Sequence, residues 1–86
     1  MEEIKTGIYQ HFKGRKSLVI GVAEHSDGNS LLVIYKGLQD KKLHARPYES
    51  FVEKVKNGEG KMVPRFTLIE EINLEQELLI ENKTTK

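Results

Sequence analysis

The chain has 86 residues, 31% of them charged, no cysteine and a formal net charge of +1. A chain of that length is one domain with a small core, burying about 60–65% of its unfolded surface. The missing cysteines exclude disulfides and thiolate metal sites, and the longest apolar runs, LVIGVA and LLVIY, are too short to cross a membrane as helices.

The polar, acidic start MEEIKTG is unlike a secretory signal. Together with the cysteine-free composition it leads to the expectation of a cytoplasmic protein with no membrane partner. Charge is unevenly placed: residues 1–66 carry a net +4 and residues 67–86 a net −3. A basic body permits an anionic partner but falls well short of a strongly basic nucleic-acid binder.

In chain order, residues 7–12 alternate like a strand, with Tyr9, His11 and Lys13 in one phase and Ile8, Gln10 and Phe12 in the other. Gly14 and Arg15–Lys16 mark a turn. SLVIGVAEH and SLLVIYKGL are two β-branched-rich runs around SDGN, a hairpin signal with Asp27–Gly28 as a type I′ turn. Residues whose numbers sum to 55 then pair, setting Ala23 opposite Leu32, Ile20 opposite Tyr35 and His25 opposite Ser30. Both faces of that hairpin are apolar, so it is expected to be covered or curled. QDKK is a turn and LHAR a short strand at most. RPYESFVEKVKNGEG predicts one or two helical turns from Pro47, with Phe51 and Val55 on one face, ended by Asn57–Gly60. MVPRFTLI is the last clear strand, starting late or lying at an edge because Pro64 cannot donate to a ladder. In the tail, Asn73 and Gln76 look like a capping box for a short helix, although ELLIE equally suits a closing strand, and NKTTK is expected to fray.

The chain resembles a family of small bacterial proteins, domain of unknown function 1653. The match is carried by Gly7, Tyr9, His11, Phe12, Lys13 and Gly14, then Ala23, His25 and Ser26, Val33 and Tyr35, and Leu38. It continues through Arg46, Pro47, Phe51 and Val55 to Pro64, Arg65 and Phe66. The resemblance implies an SH3-type barrel or roll and brings no assigned activity. It also shows departures: the family commonly has tyrosine where Ser17 stands, tyrosine and glycine at Gln39 and Asp40, tryptophan at His44 and methionine at Ser50.

The architecture expected is therefore mainly β: a small SH3-like barrel or roll of about five strands with one short helical element. It comprises one domain over 1–66 and an acidic extension over 67–86. Phe12, Phe51 and Phe66 are assigned to the core. The candidate ligand-binding set is Tyr9, His11, Lys13, His25, Tyr35, Arg46 and Arg65. Planar arginine donors suit carboxylate or phosphate, and phenols orient or stack. The competing account is structural, with the arginines bonding turn carbonyls and the tyrosines filling the barrel.

No two histidines fall at metal-ligand spacing, so no metal and no cofactor is expected. With no thiol, and with Ser26 facing away from His25, no catalytic residue is assigned. KGRK and DKK supply basic loops that keep a nucleic-acid partner in view. The function expected is a non-catalytic module binding an anionic or polar ligand, whether a nucleotide, a nucleic acid or an acidic protein segment. The alternatives are a small acid–base enzyme centred on His11 and His25, and a structural or regulatory adaptor without a small ligand.

Overall fold

The computed structural model describes residues 4–74. The elements run β1 (Gly7–His11), β2 (Lys16–Glu24), β3 (Leu31–Gly37), β4 (Leu43–Pro47), α1 (Tyr48–Val52), β5 (Lys54–Lys56), β6 (Met62–Pro64) and β7 (Phe66–Glu71). Five strands form one antiparallel sheet in the order β4-β3-β2-β1-β7, and β5 pairs with β6 in a separate hairpin. The mainly β, five-stranded sheet with one short helix is the architecture the sequence leads one to expect. The sheet order has two ends, β4 and β7, and the SH3-like name remains what the family resemblance implies.

The core is Tyr9, Val19, Val33, Tyr35, Tyr48, Phe51 and Phe66. Five of the seven are aromatic, which is how a short chain reaches an adequate buried area with few residues. Phe51 and Phe66 stack with ring centroids 4.3 Å apart, and Tyr9 meets Phe51 edge-on at 5.3 Å. The phase of β1 is the reverse of what its polarity suggests. Gly7, Tyr9 and His11 are buried, while Ile8, Gln10 and Phe12 are half-buried. Phe12 is therefore not a core residue; its ring lies outside the cluster, against that of His11 at 4.7 Å. The reason is the crossing with β7. Gly7 is at φ 145°, and a Cβ there would lie 2.2 Å from the Glu70 carbonyl. Only glycine fits, and the two-residue period then carries Tyr9 and His11 inward. The Tyr9 hydroxyl donates to the Lys5 carbonyl at 2.7 Å, and burial raises its pKa above the ordinary 10.0.

The β2–β3 hairpin keeps the expected register near its turn, with Ala23 opposite Leu32 and the His25 N–H donating to the Ser30 carbonyl. Farther along, Tyr35 pairs with Val19 instead of Ile20, because Ile20 is an extra residue in a β-bulge. The bulge buries Val19 completely and leaves Ile20 42% exposed. A second bulge sits in β7, where Ile69 has no partner between Glu70 and Leu68, and it is 48% exposed. The turn itself differs from type I′: Gly28 is at φ 78°, but Asp27 is not at positive φ. Side chains hold the longer loop instead. Asp27 Oδ1 accepts the Asn29 N–H, and His25 Nδ1 accepts the Asp27 N–H.

The helix occupies only Tyr48–Val52; Pro47 ends β4 and precedes the helix in an extended conformation, and Val55 passes into β5. MVPRFTLI divides into two strands, because Pro64 ends the β6 ladder and β7 begins at Phe66. Between them, the Arg65 N–H donates to the Glu53 carbonyl, and the Arg65 carbonyl accepts the Phe12 N–H. Since β7 pairs with β1 as far as Glu71, residues 67–71 belong to the sheet, not to an extension. The expected tail helix or strand after Asn73 and the fraying of NKTTK lie outside the described residues.

These packing differences are measurable by urea unfolding. Phe51→Ala is expected to cost about 3–5 kcal/mol. Phe12→Ala, at a half-buried site, is expected to cost under about 1.5 kcal/mol. The opposite ranking would contradict the inward phase of β1.

Candidate functional site

One end of the core opens into a cleft of about 290 Å³. Its floor is the inward face of the sheet, with His11 from β1, Tyr35 from β3 and Phe66 from β7. One rim is Arg15 in the β1–β2 turn and the start of β2, with Lys16 and Ser17. The other is the β3–β4 turn with Gln39 and Asp40, and β4 adds His44 and Arg46. Register explains the convergence. Tyr35 is paired with His44, so their rings lie on the same face and stack at 5.3 Å. Arg46, two residues on, shares that face.

Arg46 is half-buried and held by neutral groups. Its Nε donates to the Tyr35 hydroxyl at 3.4 Å and its Nη1 to Ser50 Oγ at 3.1 Å. Its guanidinium lies 5.5 Å from the Phe66 ring centroid. The ion pairs among the described residues are Lys5–Glu71, His25–Asp27, His44–Asp40 and Arg65–Glu53, so no carboxylate there pairs with Arg46, Arg15 or Lys16.

Asp40 is the acidic member of the cleft. Oδ1 accepts the Lys42 N–H at 2.9 Å, and Oδ2 bonds His44 Nε2 at 3.0 Å. Those two hydrogen bonds hold its carboxyl below the ordinary 3.8. A Cβ at Gly37 would lie 2.3 Å from Asp40 Oδ1, so glycine at 37 leaves room for the carboxylate. The described lining of the cleft thus includes Arg15, Lys16 and Arg46 beside one carboxylate, Asp40, which already has partners.

His11 is a neutral donor. Its ring stands edge-on to Phe66 at 5.0 Å, and Nδ1 accepts the Lys13 N–H at 3.2 Å. An accepting Nδ1 puts the proton of the neutral ring on Nε2. Burial first, then the charges of Arg15, Arg46, Arg65 and Lys13, lower its pKa from 6.5.

Of the seven candidate residues, the structure brings His11, Tyr35 and Arg46 to the cleft. Tyr9 packs into the core, so its role is structural and not that of a stacking group. Lys13 is exposed in the β1–β2 turn, with Nζ 5.8 Å from the Phe12 ring centroid. Arg65 pairs with Glu53 at 2.6 Å, and its buried Nε has no partner among the described residues. His25 is exposed at the β2–β3 turn beside Asp27 and does not line the cleft, so it forms no common centre with His11. Arg15, Lys16, Ser17, Gln39, Asp40 and His44 were absent from the candidate set. Two signals pointed to them: the basic loops KGRK and DKK, and the departures from the family pattern. Ser17, Gln39, Asp40 and His44 all line the cleft, and Ser50 bonds its arginine.

Fold and cleft together define a small antiparallel β protein with an aromatic-floored, basic pocket. The chain belongs to the family described as Protein of unknown function (DUF1653), whose model matches residues 7–68. It is similar to the crystal structure of a DUF1653 protein from Bordetella bronchiseptica, with a TM-score of 0.73 and 26% sequence identity. The match covers 85% of this chain and 96% of that one. A comparison with curated proteins gives no match. No helix among the described residues is long and apolar enough to cross a membrane.

The state of His11 sets a pH dependence. Its folded pKa lies below the unfolded value, so the unfolded chain binds the proton more tightly. Its contribution to stability is full above about pH 6.5 and is lost as pH falls through the lowered folded value. Denaturation midpoints measured from pH 7.5 down to 4.5 are expected to show a component that His11→Asn removes, and NMR titration of His11 is expected to give a midpoint below 6.5. A midpoint at or above 6.5 would exclude the neutral, buried ring.

Proposed function

We propose that this protein is a non-catalytic, cytoplasmic binding module whose ligand carries an anionic group seated in the cleft. The observation that carries the proposal is Arg46: a half-buried guanidinium bonded only to hydroxyls and an aromatic face among the described residues. Half-buried charges are normally paired, and an arginine fork without a carboxylate is suited to receive one from a ligand. Arg15 and Lys16 at the facing rim add attraction at longer range, and the neutral His11 adds a donor without adding charge. The site lies largely on strands, which hold it in place before a ligand arrives.

Amide-resolved NMR titration with inorganic phosphate, and separately with acetate, tests the proposal. Residues around Arg46, Arg15 and His44 are expected to shift together, and the affinity is expected to fall with added chloride. Arg46→Gln is expected to weaken phosphate binding by about 10- to 100-fold, the loss of one charge-assisted hydrogen-bond pair. Absence of any saturable shift at low ionic strength would rule out an anion site.

A further inference from the structure

We propose that the anionic group is an acidic side chain on an extended peptide segment, which adds to the sheet as a further strand along β4. The proposal rests on the cleft being an anion site and names the kind of partner. β4 is one end of the sheet order. In its ladder with β3, the Gly37 N–H donates to the Lys42 carbonyl at 3.0 Å, and the pairing continues without a register shift through Tyr35–His44 and Val33–Arg46. Antiparallel ladders alternate, so His44 and Arg46 direct their backbone groups to β3 while Leu43 and Ala45 direct theirs outward. Both residues are exposed, Leu43 to 66%. Pro47, which has no N–H, ends the free stretch.

A strand hydrogen-bonded to Leu43 and Ala45 would place its intervening residues directly opposite His44 and Arg46. The side chains of such pairs share a face, with Cα atoms about 4.5 Å apart. That face is the cleft, so a glutamate or aspartate opposite Arg46 would meet a guanidinium that has no carboxylate partner among the described residues. The alternate residues of the peptide would lie beside Leu43 and Ala45, where apolar side chains fit. This is strand addition, with main-chain bonds giving affinity and one charged pocket giving selectivity. The other end of the sheet suits it less well, because the bulge at Ile69 interrupts β7. Nor does a second β4 supply the occupant. With the two-fold axis at Ala45, Arg46 would face His44, and a one-residue shift of the axis would set it against Lys42; neither is a carboxylate.

The test uses the full chain, ¹⁵N-labelled, and the blocked peptide Val-Glu-Val-Glu-Val-Glu, beside inorganic phosphate and adenosine monophosphate. The peptide is expected to shift the amides of Leu43, Ala45 and Arg46 and to slow hydrogen exchange at Leu43 and Ala45. Exchanging its glutamates for glutamine is expected to weaken binding at least tenfold, and N-methylating its valines to abolish it. Ala45→Pro removes an outward N–H without touching the ladder to β3; it is expected to lose the peptide and keep phosphate, whereas Arg46→Gln weakens both. Phosphate binding with no peptide response, or a peptide response without protection at Leu43 and Ala45, would overturn strand addition and leave the anion site standing. Silence toward both would remove both. Saturable binding of the nucleotide alone would assign another ligand class, and concentration-dependent broadening at Leu43 without peptide would assign the edge to another copy of the chain; either overturns the proposal.

Discussion

Phe66 is the contact on which the rest of the molecule depends. One ring, at the first residue of β7, stacks on Phe51 of the helix at 4.3 Å, lies 5.6 Å from Tyr35, receives the edge of His11 and sits under the Arg46 guanidinium. Helix, sheet and cleft are therefore joined through a single aromatic surface. The described residues bury seven apolar side chains, and these form one cluster that both packs the sheet and floors the cleft. Aromatic pairs of this kind add about 0.5–1.5 kcal/mol each beyond the area they bury, a large share of the margin available to a small domain.

The same surface explains how a cation survives at the mouth of the core. Arg46 loses part of its hydration there, and a ring face with two hydroxyls offsets only part of that loss. The neighbouring imidazole stays neutral because burial and four nearby cations oppose its protonation. Charge in the cleft is thus concentrated where a ligand would meet it, and the floor supplies donors and aromatic faces. Asp40 is the acidic residue in the described lining, and its oxygens are engaged by the Lys42 N–H and His44 Nε2.

Much of the fold was legible in the sequence because hairpin chemistry and β-branched runs are local. The β2–β3 pairing near the turn, the interruption at Pro64 and the short helix after Pro47 all follow from residue types at fixed offsets. What escaped was set by contacts distant in sequence. The bulge at Ile20 moved Tyr35 opposite Val19, and no local rule marks which residue of an apolar run is extra. The inward phase of β1 depends on Gly7 meeting β7 some sixty residues later, so a strand that looks wet outside is in fact lined with core. For the site, Arg46, Tyr35 and His11 were identified from their chemistry, and their meeting depended on the sheet. Arg15 and Asp40 in turns and His44 in a short strand carried little signal one at a time, because an isolated charged or polar residue is usually just solvated.

The three tyrosines have a further consequence. All of them, at 9, 35 and 48, are buried in the core, and the chain has no tryptophan. The molecule therefore carries its own optical reporter: its near-ultraviolet absorption and intrinsic emission come mainly from phenols in the interior. One of those phenols, on Tyr35, accepts the Arg46 Nε–H. Unfolding changes the environment of all three rings, while a group arriving at the guanidinium perturbs one. A single unlabelled sample thus contains a spectroscopic measure of how strongly the interior is coupled to whatever occupies its mouth.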